Sequence, residues 1–130
     1  MTKRTATCAC GQLRVETRGE PVRLSVCHCL SCQQRTGSAF GVQARFKDGD
    51  IAVSGTSRIY KRVGDSGGKS ERHFCGDCGS TVFWRIDSVP QFTYVATGAF
   101  ADPSFPPPTV AVYEERRHPW VEIAGIAVSE

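Results

Sequence analysis

Long apolar runs are absent from this chain of 130 residues. A membrane-spanning helix needs roughly 20 consecutive apolar residues, and no segment approaches that length. The first eight residues include Lys3 and Arg4 but no apolar stretch, which is unlike a secretory signal peptide. We therefore predict a soluble protein of the cytoplasm with no membrane partner.

Helical periodicity is also scarce, and the chain has neither internal repeats nor low-complexity tracts. Short segments of alternating apolar and polar residues are separated by turn residues, which is typical of strands. Residues 30–36 are predicted to form a short helical turn at most, and residues 103–108, with four prolines, an irregular loop. The predicted strands are 13–17, 22–26, 40–46, 51–54, 57–63, 71–74, 81–86, 92–97, 109–113 and 120–123. A hairpin turn is predicted at 64–69, between two of these strands.

Charge of one sign does not dominate either, since 16 basic residues face 13 acidic ones and the formal net charge is +3. That value treats cysteine thiols as neutral. Seven thiolates would add seven negative charges, and two bound zinc ions would add four positive ones, so the balance would fall to zero. We therefore predict no nucleic-acid partner.

Cysteine is the residue type that stands out. Disulfides are rare in reducing compartments, and an odd number of cysteines fits a disulfide framework badly. Thiolates suit zinc, and the spacing Cys75-x-x-Cys78 followed by Gly79 is typical of a zinc knuckle. The seven cysteines form three clusters: Cys8 and Cys10; Cys27, Cys29 and Cys32; Cys75 and Cys78.

The spacing of the clusters predicts two zinc ions per chain. Cys27, Cys29 and Cys32 are close enough in sequence to surround one ion. The other four cysteines complete a second shell that would tie the N-terminus to the middle of the chain. Three protein ligands and one exchangeable position are typical of a catalytic zinc, whereas four cysteines are typical of a structural one. The sequence thus predicts an all-β domain over residues 1–130, with short antiparallel strands in two sheets stapled by zinc.

Two alternatives to an open three-cysteine site remain at this point. A histidine could close the shell, and His73 and His118 are the candidates, because His28 would point away from its neighbouring cysteines on an extended segment. Rubredoxin-type iron would favour a glycine after Cys32, where the chain has Gln33.

The cysteine motifs resemble those of the glutathione-dependent formaldehyde-activating enzyme family, whose domain is shared with centromere protein V. The segments that carry the resemblance are Cys8-x-Cys10-Gly11, Cys27-His28-Cys29-x-x-Cys32, Gly37-Ser38-x-Phe40 and Phe74-Cys75-x-x-Cys78-Gly79-Ser80. The resemblance implies an Mss4-like β fold. It also implies a structural zinc on Cys8, Cys10, Cys75 and Cys78 and a catalytic zinc on Cys27, Cys29 and Cys32.

The same resemblance implies a carbon–sulfur lyase that joins glutathione to formaldehyde and gives S-hydroxymethylglutathione. Arg35 follows the three-cysteine segment, and its guanidinium is a candidate partner for a glutathione carboxylate. Arg45 and Arg85 are weaker candidates for such contacts. A non-catalytic, zinc-stabilised module that binds a protein partner is the competing hypothesis. An exchangeable metal position distinguishes the first function from the second.

Overall fold

The computed structural model describes residues 1–64 and 67–130, and strands make up most of its regular structure. One helix, α1, spans Leu30–Thr36, and short 3₁₀ turns span Asp48–Asp50, Thr97–Phe100 and Glu114–Arg116. The strands are β1 (Lys3–Thr7), β2 (Arg14–Arg18), β3 (Arg23–Cys27), β4 (Gly41–Lys47), β5 (Ile51–Ser54), β6 (Arg58–Val63), β7 (Lys69–Phe74), β8 (Thr81–Ile86), β9 (Phe92–Ala96), β10 (Val110–Val112) and β11 (Val128–Ser129).

The strands form two sheets, which confirms the predicted all-β class. The smaller sheet has the order β1-β2-β5, and the larger has the order β11-β10-β3-β4-β9-β8-β7-β6. Most neighbours are antiparallel, but β10 runs parallel to both β3 and β11. A long connection through the prolines leads into β10, so no hairpin fixes its direction. That the chain forms a single domain stays a prediction.

The structure differs from the sequence prediction at both ends of the chain. Strand β1 was not predicted, because Lys3 to Thr5 are polar and only Ala6 is fully buried. The strand predicted at 120–123 is wrong: the Val121 amide closes a turn onto the His118 carbonyl at 3.0 Å, and Trp120 is 73% exposed. Strand β11 pairs with β10 instead.

Helix α1 spans the same residues, 30–36, that were predicted to form a helical turn at most, and both of its ends are capped. The Cys29 sulfur accepts a hydrogen bond from the Cys32 amide, and Gly37 ends the helix in the left-handed conformation at φ 68°. The predicted hairpin between β6 and β7 forms, but residues 65 and 66 of its predicted turn lie outside the described residues.

The hydrophobic core lies where the two sheets face each other. It draws Ala6 and Val15 from the smaller sheet and Phe46, Val82 and Val95 from the larger one. Two cysteines, Cys8 and Cys75, belong to the same buried cluster. The opposite face of the large sheet is therefore free to carry polar side chains. In the described residues, no helix is long and apolar enough to cross a bilayer.

Candidate metal centres

The structure brings Cys8, Cys10, Cys75 and Cys78 together from two distant parts of the chain, with all four sulfur atoms within 4.8 Å of one another. The Sγ–Sγ distance is 3.6 Å between Cys8 and Cys10 and 3.7 Å between Cys10 and Cys75. A tetrahedral zinc with Zn–S bonds of about 2.3 Å separates its sulfurs by about 3.8 Å. The four-cysteine cluster therefore fits a tetrahedral zinc ion.

Two similar turns present these sulfurs. The Gly11 amide donates to the Cys8 carbonyl at 3.0 Å, and the Gly79 amide donates to the Cys75 carbonyl at 2.8 Å. Both glycines adopt positive φ, 86° and 82°, which favours glycine. The Leu13 amide donates to the Cys8 sulfur at 3.3 Å. Such donors stabilise thiolates, so each turn shapes the chain and supports a metal ligand.

Gln12 is a part of this cluster that the sequence analysis missed. Its Nε2 donates to the Cys75 sulfur at 3.0 Å and to the Thr56 carbonyl at 2.7 Å, while its Oε1 accepts from the Thr56 amide at 2.9 Å. The bond from Gln12 is the main cause of the lowered pKa of Cys75. Gly55 permits this contact, since a Cβ there would lie 1.9 Å from the Gln12 carbonyl oxygen. Gln12 follows the motif Cys8-x-Cys10-Gly11 and is not part of it, so spacing gave no signal for it.

The second cluster lies where β3 leads into α1. Cys27 ends β3, Cys29 caps the helix and Cys32 lies in its first turn, which brings their sulfurs within 4.8 Å of one another. Hydrogen bonds from the Cys27 and Cys32 thiols lower the pKa of Cys29 to about 2, and the same contact with Cys29 raises the pKa of Cys27. These three thiols form a donor set suited to zinc.

No histidine or carboxylate joins the three-cysteine cluster within residues 1–64 and 67–130. The ring of His73 stacks on Phe83 with centroids 4.3 Å apart. His118 Nε2 donates to Gln33 Oε1 at 2.8 Å, and the His28 side chain is buried. Neither histidine proposed to close the shell reaches the cluster, so the described residues supply three protein donors.

The three-cysteine cluster opens into a cavity of about 560 Å³ on the polar face of the large sheet, which we call the arginine cavity. Trp84 forms part of its wall, and the predicted Arg35 and Arg45 also line it. Arg85 lies outside it and donates to Thr93 Oγ1 at 3.1 Å. Among the described residues, no aspartate or glutamate lines this cavity. The arginines that line it are Arg23, Arg35, Arg45, Arg62 and Arg72.

Comparison with known proteins identifies the family. The family model described as glutathione-dependent formaldehyde-activating enzyme matches residues 3–116. The chain belongs to this family. The chain is also similar to the crystal structure of a Rhodobacter sphaeroides protein, with a TM-score of 0.57 and 22% sequence identity. The match covers 73% of this chain and 85% of the other. At that identity, the similarity supports the fold alone.

The sequence analysis did not predict three of the arginines that line the cavity: Arg23, Arg62 and Arg72. Arg62 and Arg72 come from the hairpin of β6 and β7, Arg23 comes from the distant β3, and strand pairing brings all three onto one face. Residues Arg72, Trp84, Tyr94, Arg45 and Arg23 form a row of directly paired positions across β7, β8, β9, β4 and β3. Alternation along β3 was an available signal, since Arg23 shares a face with Cys27, but the order of the strands was not.

Proposed function

We propose that this protein is a zinc-dependent carbon–sulfur lyase that joins a small thiol, glutathione, to an aldehyde such as formaldehyde. The observation that supports this most is a cluster of three cysteines with no fourth donor among the described residues, at the wall of an arginine-lined cavity. Membership of the formaldehyde-activating family supports the same reaction.

In this proposal, each cysteine cluster has a distinct role. Cys8, Cys10, Cys75 and Cys78 hold a structural zinc, and Cys27, Cys29 and Cys32 hold a catalytic one. A zinc ion with three thiolate ligands supplies an exchangeable position that stabilises an external thiol as its thiolate. The Cys27 and Cys32 thiols lower the pKa of Cys29, so Cys29 is the cysteine of this cluster that forms its thiolate first.

The chain itself positions the substrate. Arg35 lies on α1 just after the last cysteine, and its guanidinium is within reach of the cavity, where it binds a carboxylate of the thiol. The cavity walls limit how the thiol and the aldehyde approach each other, so orientation supplies part of the catalysis. Apart from the metal, the proposal needs no other cofactor.

Exchange spectroscopy tests the reaction, because the uncatalysed addition of glutathione to formaldehyde is itself fast. The zinc-loaded protein is expected to accelerate exchange between ¹³C-formaldehyde and S-hydroxymethylglutathione above the protein-free rate. Cys29→Ser is expected to return exchange to that background, and Arg85→Gln, outside the cavity, to retain the acceleration. No acceleration by the zinc-loaded wild type would overturn the proposed activity.

A further inference from the structure

We propose that Arg35, Arg62 and Arg72 form an anion-binding site that makes this protein select carboxylate-bearing thiols over neutral thiols of the same size. The inference deepens the proposed function and rests on it for the thiol. The anion site itself rests on the arginines, and it can be tested without sulfur.

The charges of these three arginines lack carboxylate partners. Among the described residues, no carboxylate lies within salt-bridge distance of Arg35, Arg62 or Arg72. Arg23, by contrast, pairs with Glu130 at 2.7 Å. Burial lowers the pKa of Arg72, the positive charges of Arg35 and Arg62 lower it further, and the nearby Cys32 and Cys29 sulfurs oppose this effect. The Arg72 guanidinium is therefore repelled by those of Arg35 and Arg62. An anion in the cavity relieves that repulsion.

The cavity also contains buried polar atoms whose hydrogen-bonding capacity is unsatisfied. Six buried side-chain nitrogen or oxygen atoms have no hydrogen-bond partner in the described part of the chain. Three of the six, Arg35 Nη2, Gln43 Oε1 and Arg45 Nε, belong to residues that line the arginine cavity. Buried polar atoms without partners are costly. The two donors among the three, Arg35 Nη2 and Arg45 Nε, lack an acceptor, which an anionic ligand in the cavity supplies.

Two of the guanidinium groups, those of Arg35 and Arg72, are fixed in position by contacts near the three cysteines. The Arg35 guanidinium lies 4.3 Å from the centroid of the Trp84 ring. Gly41 leaves room for it, since a Cβ at that position would lie 2.6 Å from Arg35 Nη2. Arg72 Nη2 donates to the Ser31 hydroxyl at 2.5 Å, and Ser31 lies between Cys29 and Cys32 on α1.

The net charge of the zinc-loaded site favours an anionic ligand. Three guanidinium groups carry three positive charges, and a zinc ion with three thiolates carries one net negative charge. These groups leave an excess of two positive charges at the loaded site, and Arg45, which lines the cavity with no carboxylate within salt-bridge distance among the described residues, adds a third. A thiol with one uncompensated carboxylate reduces this excess by two charges when it binds as a thiolate, whereas a neutral thiol reduces it by one. Planar carboxylates also match the fork of donors that arginine presents.

The test compares 3-mercaptopropionate with 2-mercaptoethanol, a neutral thiol of similar size. The zinc-loaded full chain carries Trp120→Phe, so that Trp84 in the cavity becomes the fluorescent probe. The acid is expected to bind at least about tenfold more tightly, as hydrogen bonds to charged groups predict. Arg72→Gln and Arg62→Gln are expected to remove the preference, and Arg85→Gln, with the same loss of charge outside the cavity, to keep it.

Gly41→Ala provides a second variant that retains every charge. It displaces the Arg35 guanidinium, and it is expected to weaken the acid several-fold while the neutral thiol binds as before. The proposed selectivity would be overturned if the wild type bound both thiols with equal affinity. If both thiols also changed the spectrum of the cobalt-substituted protein, the proposed function would remain intact. If no thiol changes the cobalt spectrum, the proposed function fails. Binding of succinate, which has no sulfur, then tests the anion site separately. A Trp84 response to succinate that Arg72→Gln abolishes supports the site, and no response overturns it.

Discussion

At the scale of single residues, the supporting contacts of the metal ligands are as specific as the ligands. Gln12 donates to the Cys75 sulfur and to the Thr56 carbonyl, so one side chain links the four-cysteine cluster to the loop after β5. Such second-layer contacts orient ligands and tune their affinity for metal.

Gln12→Glu is predicted to weaken the four-cysteine site. The substitution replaces the amide donor by a carboxylate and leaves the Cys75 sulfur and the Thr56 carbonyl without it. A loss of about 1–3 kcal/mol in the free energy of unfolding is expected. Chemical denaturation and the rate of zinc release to a chelator measure the effect.

Gln91→Glu makes the same change at an exposed position and is the matched control. It is expected to keep the stability and zinc-release rate of the wild type. If Gln12→Glu and Gln91→Glu behave alike, the Gln12 contact contributes nothing to the metal site.

The spacing of the cysteines predicted how they are divided between the two clusters, because residues that are close in sequence are also close in space. Spacing gives no such signal for Gln12 or Arg72. Their partners, Thr56 and Ser31, lie 44 and 41 positions away in the chain. Only the folded chain brings such groups together.

At the scale of elements, α1 holds the three-cysteine cluster together. Gln33 on this helix forms three hydrogen bonds: its Nε2 donates to the His28 carbonyl at 2.9 Å and to the Arg116 carbonyl at 3.1 Å, and its Oε1 accepts from His118 at 2.8 Å. The helix has seven residues, too few to be stable alone. Gln33 therefore anchors it to the C-terminal segment.

Gln33→Ala is predicted to loosen the helix and the metal site that it carries. Amides of α1 are expected to exchange hydrogen faster, and the three-cysteine site to lose metal faster, while the four-cysteine site keeps its metal. Hydrogen exchange and stepwise metal release report the two effects. Gln34→Ala is the control, because this neighbour is exposed and forms no side-chain hydrogen bond in the described structure. Equal behaviour of the two variants would contradict the anchoring role.

Alternation of apolar and polar residues predicted most strands but not all elements. It failed for β1, which is polar and gains its place by pairing with β2, and for 120–123, where Val121 is buried without a strand. The pattern also predicted a helical turn at most where the seven-residue helix α1 forms, because the N-terminal cap of α1 is the sulfur of Cys29. Cysteine is not among the side chains whose capping tendency a sequence reveals.

At the scale of the whole molecule, the two metal centres occupy different environments. Cys8 and Cys75 belong to the core between the sheets, whereas Cys27, Cys29 and Cys32 face the arginine cavity on the other side of the large sheet. The sequence predicted both clusters, but the cavity depends on the strand order of the eight-stranded sheet. That order is set by long-range pairing, which local patterns do not encode.

Replacing zinc by Co²⁺ and titrating glutathione tests the central claim, which is that the three-cysteine centre accepts an external thiol. The four-cysteine centre contributes a constant thiolate-to-cobalt charge-transfer band. Glutathione is predicted to increase that band until it saturates, because a further thiolate joins the three-cysteine centre. The increase is predicted to disappear in Cys29→Ser and to persist in Arg85→Gln. A wild-type spectrum that already has the full intensity of two four-ligand sites, and that no thiol changes, would contradict the claim and support a closed, zinc-stabilised binding module.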